Sequence, residues 1–365
     1  MSAVPLVIIT TRLPPATCGI GTHSWLLRKN WPNESRPVKF LVVEGVGTAA
    51  AASCADKVAA FNNSASALAR ELAGIGTADV VLHYAGRAYH RFGFPLWMPG
   101  VLARWKRRFR DSRLMIFVHE MPGDAPWTSR HFWFAKAGNW TIARLAKLAD
   151  VLVTNSEVHR AKLAKMSGRK DVHWFPVGSN IEVLPWSLGA RARGEFALFG
   201  LPFGRLQTLR LFEAHLRGWH RSGRMSKLHL IGPENERFAA EANELLRQWV
   251  GDSDVVHHGV LSSSDVAGLL QRVELALTNA SSETWSKSTT FMGGAANGCP
   301  LVVKGARGTG GPLVFAVEPD EVEAISQSEL AGRGVALAEW YRLHADWRVT
   351  AAQIAGLLPE RELTR

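Results

Sequence analysis

The chain has 365 residues and a formal charge of +11, which favours anionic partners such as nucleotide phosphates, acidic polymers, phospholipid surfaces or nucleic acid. With 47% hydrophobic residues and no low-complexity run, it is globular throughout and long enough for two hydrophobic cores. Three singly placed cysteines, Cys18, Cys54 and Cys299, argue against a disulfide framework and a zinc site, and favour a reduced, cytoplasmic protein.

The first predicted element is a buried strand, Val4–Thr10, because a continuous apolar run is typical of a parallel sheet. The run is too short for a signal peptide or a membrane span. Gly19, Ile20 and Gly21 follow at the predicted start of a helix, where glycines let backbone N–H groups approach a ligand closely. A simple turn explains the same glycines, so both interpretations stay open.

Three further strands are predicted in the first half, at Val38–Val43, Asp79–His83 and Leu114–Val118. His119 follows the last of these strands directly. Active sites of open parallel sheets gather at the carboxyl ends of strands, so His119 is well placed for chemistry. The alternative is a structural, hydrogen-bonded histidine.

Residues 91–113 are the most unusual segment by composition, because an aromatic and proline-rich stretch precedes a basic helix. Leu102, Trp105 and Phe109 share one face of that helix, and arginines and a lysine occupy the others. This arrangement is typical of a helix lying on an anionic bilayer, which predicts peripheral attachment to the inner membrane face. The alternative is a helix that faces the core and has a solvated basic side.

The first domain is predicted to end with the strand Asp150–Thr154 and the strand and loop Lys170–Asn180. The polar stretch Ile181–Gly194, with its proline and glycines, is the predicted interdomain linker. We therefore expect an N-terminal domain over residues 1–185, a C-terminal domain over 190–335, and closing helices over 336–365 that pack back towards the first domain.

The second domain is predicted to open with the strand Phe196–Phe199, followed by Gly200 and a helix that carries Arg205. The strand Lys227–Ile231 follows, and then Val255–Val260, which contains Gly259 near its end. The order of strand, glycine and helix is that of an open α/β sheet with its ligands at the carboxyl edge.

The stretch Leu275–Val303 predicts one compact βαβ unit, with the helix Phe291–Asn297 closed by Gly298 and Pro300. Several polar residues precede that helix, namely Glu283, Ser286, Lys287, Ser288, Thr289 and Thr290. A helix start presents unpaired N–H groups and a positive dipole end, so a phosphate is a suitable ligand. An ordinary capped helix explains the hydroxyls equally well.

The βαβ unit resembles the signature of family 4 glycosyltransferases, in which a loop leads to a helix ending in Ala-x-Gly-x-Pro and a hydrophobic residue. The residues from Ala296 to Leu301 match that ending. The family usually has two glutamates, and counting back from the helix end places Trp285 and Gly293 at their positions, while Glu283 lies two residues early. The second family glutamate binds the ribose. The resemblance therefore implies that this chain binds the nucleotide sugar through other groups, or that its activity is altered or lost.

The resemblance implies the GT-B fold, an α/β architecture of two Rossmann-like domains with parallel sheets facing an interdomain cleft. It implies a retaining transfer of a sugar from a UDP- or GDP-linked donor, without a metal or other cofactor. The residues assigned to catalysis are His119, Arg205 and Lys287. The residues assigned to donor binding are Gly19, Gly21, Gly200, Gly259, Leu261, Glu283, Ser286, Ser288, Thr289 and Thr290.

The expected partners are a nucleotide sugar and a carbohydrate or lipid-linked acceptor of polysaccharide or glycolipid synthesis, with an anionic membrane surface contacted through residues 91–113. A catalytically inactive GT-B partner or carbohydrate-binding subunit is the main alternative. A sugar-nucleotide epimerase is less favoured because the loops are poor in acidic residues. Nucleic-acid binding is not favoured, because the basic residues outside Arg104–Arg110 are dispersed.

Overall fold

The computed structural model of the chain describes residues 3–16, 18–43, 57–185, 191–248 and 254–362. Its contacts divide the chain into two compact units. Unit 1 contains residues 1–176 together with 347–365, and unit 2 contains residues 177–346. Cys54 and residues 186–190 of the predicted linker lie outside the described residues.

Strands and helices alternate along both units. The described strands are β1 (Leu6–Thr10), β2 (Val38–Val43), β3 (Lys57–Phe61), β4 (Asp79–Tyr84), β5 (Arg113–Val118), β6 (Val151–Thr154), β7 (Val172–Trp174), β8 (Ala192–Phe199), β9 (Lys227–Ile231), β10 (Val255–Gly259), β11 (Val273–Leu277) and β12 (Leu301–Val302). The described α-helices are α1 (Gly19–Lys29), α2 (Ala65–Ile75), α3 (Gly86–Tyr89), α4 (Met98–Arg108), α5 (Arg130–Leu148), α6 (Glu157–Ser167), α7 (Pro202–Arg221), α8 (Glu236–Arg247), α9 (Ser263–Arg272), α10 (Thr289–Ala296), α11 (Gln327–His344) and α12 (Trp347–Leu357).

Each unit is built on one parallel sheet. In unit 1 the described strands lie in the order β3-β2-β1-β4-β5-β6-β7, and in unit 2 in the order β10-β9-β8-β11-β12. The central strand of unit 1 sets the register, since Leu6 lies opposite both Val38 and Asp79. Both sheets have the crossover connections of Rossmann-like domains, and helices connect most successive parallel strands in the described part of the chain.

The central strand β1 is buried on both faces. Val7 and Ile9 belong to one apolar cluster, which the buried sides of α2 and α4 complete. Leu6 and Ile8 belong to the cluster on the other face, which α1 and α12 complete. Both faces of the strand need apolar side chains, and this explains its continuous hydrophobic run.

The apolar side of α4 faces the core of unit 1. Leu102 is fully buried, Trp105 is only 5% exposed, and the indole N–H of Trp105 donates to the Gly76 carbonyl at 3.2 Å. Lys106, on the outer side, forms an ion pair with Asp150 at 2.7 Å. The face of Leu102 and Trp105 is therefore not available to a bilayer, and the core-facing interpretation of this helix is the one that holds. None of the described helices is long and apolar enough to cross a membrane.

A buried carboxylate ties the amino edge of the unit 1 sheet together. Asp79, at the start of β4, accepts hydrogen bonds from Arg36, from Arg113 at 2.6 and 2.9 Å, and from Arg361 at 2.8 Å. Both Asp79 and Arg36 are buried, whereas Arg113 and Arg361 are partly exposed. Arg361, which follows α12, is thereby anchored to the same sheet as β1 and β2.

The boundaries of the units differ from the predicted ones. Residues 177–185 belong to unit 2, because the Val177 N–H donates to the Ser286 carbonyl at 2.8 Å and the Ser179 N–H donates to the Tyr341 hydroxyl at 3.1 Å. Leu337 and Tyr341 of α11 lie in the core of unit 2. The chain therefore passes back into unit 1 at Trp347, later than the predicted boundary at residue 336.

Candidate functional site

The polar loop before α10 forms a capped helix start at the carboxyl edge of the unit 2 sheet. Ser288 is the N-cap residue, and its hydroxyl accepts a hydrogen bond from the Phe291 N–H at 3.2 Å. The Ser288 and Thr290 hydroxyls lie 2.9 Å apart, and Thr278 lies 3.4 Å from Thr290. The backbone N–H groups of Thr289 and Thr290 have no hydrogen-bond partner among the described residues. These two donors and the helix dipole favour an anion.

Lys287 brings a free positive charge to this helix start. Its side chain is exposed and forms no ion pair or hydrogen bond within the part of the chain that the structure describes. Glu283 is likewise exposed, whereas Ser286 is buried and its carbonyl accepts the Val177 N–H. The structure therefore brings together Lys287, Ser288, Thr289 and Thr290, and it places the side chain of Ser286 away from solvent.

Glycines end the three strands next to this helix start. An added Cβ atom at Gly200, which has a φ of +135°, would lie 3.0 Å from Cγ2 of Thr290. The Gly200 N–H donates to the Ile231 carbonyl at 3.0 Å, and the Gly232 N–H donates to the Gly259 carbonyl at 2.8 Å. Gly200, Gly232 and Gly259 thus form one row of close backbone contacts across the ends of β8, β9 and β10, and Gly200 is the member next to α10. Leu261 is half-buried against the apolar cluster of unit 2.

Arg205 lies beside this row, but its guanidinium is already engaged. It donates to the carbonyls of Gly232 at 3.2 Å and Pro233 at 2.8 Å, and the residue is 9% exposed. These bonds hold the loop after β9 against the loop after β8. These contacts hold Arg205 beside the glycine row, and its predicted role in neutralising a diphosphate stays a prediction.

The two positions of the family glutamates are occupied by apolar packing. An added Cβ atom at Gly293 would lie 2.9 Å from the Phe199 ring and 3.1 Å from Ile181, so a larger side chain requires these neighbours to move. Trp285 packs against Trp340, with ring centroids 5.3 Å apart, and against Gly311. Unit 2 therefore has no carboxylate at either of the two positions where family 4 glycosyltransferases usually have a glutamate.

Three buried histidines meet in unit 1. His23 lies on α1, His83 near the end of β4, and His119 directly after β5. Nδ1 of His83 and Nε2 of His119 are 2.9 Å apart, and the His23 ring centroid is 4.8 Å from that of His119. Both ring nitrogens of His23 and Nε2 of His83 have no hydrogen-bond partner among the described atoms.

The histidine cluster is neutral at ordinary pH. Burial lowers the pKa of His23 to about 3. Burial, followed by the proximity of the other imidazoles, lowers the pKa of His83 and His119 well below 6.5. Neutral imidazoles can bind hydroxyl groups, and one nitrogen from each ring lies within 4.8 Å of the others, a spacing at which the cluster can also hold a metal ion.

His119 was a predicted site residue, whereas His23 and His83, which the structure places beside it, were not predicted. His83 was the last residue of a predicted strand and His23 belonged to the helix after the glycines, so each position carried a weak signal of its own. Gly19 starts α1 with open space around it, whereas an added Cβ at Gly21 would lie 1.5 Å from the Arg12 carbonyl oxygen. The close contact with Arg12 explains why position 21 is a glycine.

Acid should destabilise unit 1 through these histidines. The pKa of His23 is lower in the folded than in the unfolded chain, so its contribution is complete above pH 6.5 and is lost as the pH falls towards 3. In this window each such histidine steepens the loss of unfolding free energy by about 1.4 kcal/mol per pH unit. His23→Leu should reduce the pH dependence of the unfolding free energy by the contribution of one histidine. Urea unfolding between pH 7 and pH 5, at roughly half-unit steps, measures this dependence. His131→Leu, at an exposed site, is the control, and equal slopes for both variants would contradict the expectation.

A cavity of about 420 Å³ lies elsewhere in unit 1, beside the first residues of β1, β2 and β3. Its lining includes Arg28, Arg36, Lys39 and Lys57. It opens at the amino edge of the sheet, opposite to the histidine cluster, and it therefore does not belong to the candidate site.

Two Rossmann-like units with parallel sheets define the GT-B class of fold, and comparison with solved structures agrees. The chain is similar to HepE of Anabaena, solved in complex with UDP and glucose, with a TM-score of 0.67 and 12% identity over 97% of this chain and 99% of that one. It is similar to sucrose-phosphate synthase of Thermosynechococcus elongatus, with a TM-score of 0.70 and 12% identity over 97% and 98% of the two chains.

A third similar structure is the lipopolysaccharide outer core galactosyltransferase WaaB in its apo form, with a TM-score of 0.60 and 13% identity over 97% of this chain and 99% of that one. The sequence matches no protein-family model and no curated protein. At these identities the likeness is one of fold, and it confirms the predicted fold class of two parallel-sheet, Rossmann-like domains.

Proposed function

We propose that this protein is a glycosyltransferase that moves a sugar from a nucleoside diphosphate sugar to an acceptor hydroxyl. The observation that carries the proposal is the start of α10, where the hydroxyls of Ser288 and Thr290 lie beside two N–H groups that have no partner among the described residues, directly after the exposed Lys287. A doubly charged phosphate group is the ligand that such a set of donors fits best.

The chemistry follows from the charge that develops on the leaving group. The bond between the anomeric carbon and the phosphate oxygen breaks, a bond to the acceptor oxygen forms, and negative charge accumulates on the departing diphosphate. Donors that are already aimed at this position stabilise the transition state without having to reorganise. We assign this role to Lys287 and to the N–H groups of Thr289 and Thr290, with retention of anomeric configuration and without a metal bound to the diphosphate.

The nucleotide is proposed to be UDP, with GDP as the second candidate. Support comes from proteins of the same fold, since HepE and an α-glucosyltransferase were solved in complex with UDP. The base and ribose would lie along the glycine row of Gly200, Gly232 and Gly259, where the absence of side chains lets a ligand approach the backbone.

The histidine cluster of unit 1 is proposed to bind sugar hydroxyls. His119 is the residue assigned to this contact, and His83 positions it, because the short bond between their rings fixes which nitrogen of His119 remains available. The acceptor class that we propose is a carbohydrate or a lipid-linked carbohydrate, as in polysaccharide or glycolipid synthesis.

A specific observation favours a second candidate, an inactive GT-B subunit that binds a carbohydrate or a partner protein. Trp285 and Gly293 stand where family 4 glycosyltransferases usually have two glutamates, and the Phe199 ring lies next to Gly293. A protein that had lost turnover would not need a ribose carboxylate. Under this alternative the donor site binds nucleotide weakly or not at all.

The purified full chain should be incubated with radiolabelled UDP- and GDP-sugars, and both hydrolysis and transfer should be scored. Binding of UDP alone should be measured in parallel by calorimetry. Turnover of one donor supports the glycosyltransferase, whereas UDP binding without turnover of any donor supports the inactive subunit. If neither nucleotide binds, the assignment of the α10 start as a diphosphate site is wrong.

A further inference from the structure

The outward side of α5 carries exposed tryptophans and basic side chains. The residues that share this face recur at spacings of three and four: Trp133, Lys136, Trp140, Arg144 and Lys147. Trp133 and Trp140 are 62% and 50% exposed, and Trp127, shortly before the helix, is 74% exposed. Single exposed apolar residues are ordinary on a protein surface, but two exposed indoles on one face of a helix, with a third shortly before that helix, are not.

The loop before α4 extends this surface. Phe92 and Leu96 are 41% and 50% exposed. The rings of Phe92 and Phe94 lie 5.0 and 5.4 Å from the ring of Phe134 on α5. The loop with the exposed Phe92 and Leu96 is therefore packed against α5.

The charge of this surface has one sign. The 19 residues of α5 include no aspartate or glutamate, and neither does the segment from Gly86 to Arg110. Cations lie directly over the aromatic rings: Arg91 is 4.2 Å from the ring centre of Phe92, and Arg144 is 5.4 Å from that of Trp140. These two segments combine apolar rings with positive charge and contain no carboxylate, whereas the loop that carries Trp127 also contains the exposed residues Glu120 and Asp124.

We propose that this aromatic-basic face, made of Phe92, Leu96, Trp127, Trp133 and Trp140 with the basic residues beside them, docks on an anionic lipid bilayer. Indole rings are stable at the headgroup level, and lysine and arginine are attracted to anionic headgroups. A second copy of the chain is a less suitable partner for this face, because α5 and the segment from Gly86 to Arg110 would bring like charges together.

This surface is distinct from the one that the sequence predicted. Leu102 and Trp105, the predicted bilayer-facing side chains of residues 91–113, are in the core of unit 1. The docking surface shares Phe92 and Leu96 with that segment, and its other apolar side chains, Trp127 and the α5 residues Trp133 and Trp140, lie outside it. The inference does not depend on glycosyl transfer, since it rests only on the exposure and charge of unit 1.

Vesicle flotation of the full chain tests the proposal. Phosphatidylcholine vesicles with and without phosphatidylglycerol should be compared at low and at high salt. The chain should float with the anionic vesicles at low salt, bind neutral vesicles at least about tenfold more weakly, and lose most of its binding at high salt. Failure to float with anionic vesicles at low salt would overturn the proposal.

Two paired variants separate the aromatic from the electrostatic contribution. Trp133→Ser with Trp140→Ser, and Lys136→Glu with Arg144→Glu, should each weaken binding at least about tenfold. The matched controls are Leu343→Ser, which removes an exposed apolar side chain of α11, and Arg237→Glu with Arg247→Glu, which makes the same charge change on α8. Equal loss in the controls and the α5 variants would show general charge attraction and contradict docking through α5.

Circular dichroism and thermal melting should be unchanged in all four proteins, because the substituted side chains are exposed. Hydrolysis of a soluble nucleotide sugar should also be unchanged in the α5 variants if the protein proves to be an enzyme. Retention on immobilised nucleic acid without flotation on anionic vesicles would assign the face to another polyanion and would refute the lipid proposal.

Discussion

Lys287→Ala should slow glycosyl transfer by about a hundredfold or more, because a charged contact to a leaving diphosphate contributes about 2 to 4 kcal/mol to transition-state stabilisation. Lys287 is exposed and has no partner among the described residues, so its removal should leave the fold and its thermal stability unchanged. The effect should appear mainly in kcat, since the charge on the leaving group grows as the bond to the sugar breaks.

Two further variants sharpen this test. Lys287→Arg retains a positive charge at the helix start and should recover part of the lost rate. Lys162→Ala removes an equally exposed lysine from unit 1 and should leave turnover unchanged. Steady-state kinetics with the donor identified by the panel of nucleotide sugars gives the comparison. Near-normal turnover of Lys287→Ala would remove Lys287 from the mechanism.

Asp79→Asn should cost about 3 to 5 kcal/mol of unfolding free energy, the largest stability effect that we expect for one residue. The substitution keeps the volume of the side chain but leaves buried Arg36 without its counter-ion and weakens the bonds to Arg113 and Arg361. Burial alone would raise the pKa of Asp79, but the hydrogen bonds from the three arginines outweigh it and the pKa is lowered. Its stabilising effect is therefore present above the unfolded pKa of about 4 and is lost in stronger acid.

Urea unfolding, followed by a probe within unit 1, measures the loss. Asp171→Asn is the matched control, because Asp171 also pairs with an arginine, Arg169, but is 62% exposed. An exposed pair contributes less than about 1 kcal/mol, so the control should unfold nearly as the unmodified chain does. Similar losses for the two variants would mean that the buried cluster does not hold the sheet together as the contacts indicate.

The predictable parts of the fold were those with strong local patterns. β1, β2, β4 and β5 are buried on both faces, and their continuous apolar runs made them recognisable. The strand β3 at Lys57–Phe61 was missed because it lies at the edge of the sheet and is only partly buried, so alanine and lysine are tolerated in it. The basic helix α4 was ambiguous because its periodicity fits a protein core as well as a bilayer.

The residues of the candidate site also differ in how far their contacts could be predicted from the sequence. Ser288 and the residues that follow it were recognisable because capping chemistry is local and lies within a few positions of the helix it starts. The contacts of Arg205 could not be recognised from the sequence, because its partners are the carbonyls of Gly232 and Pro233, more than twenty residues away. The reason for a glycine at position 293 of α10 could not be recognised either, because the ring beside it belongs to Phe199 at the end of β8.

By itself the sequence determined two α/β domains, the strands of their central sheets, and a hydroxyl-rich helix start suited to an anion. These features depend on hydrophobic periodicity and on chemistry between near neighbours. Only the tertiary structure decided that His23, His83 and His119 share one buried cluster, and that the tryptophans of α5 face solvent while those of α4 do not. Contacts between residues far apart in the chain depend on how the strands are ordered in the sheet and on which helix face packs against it, and neither is encoded by any single segment.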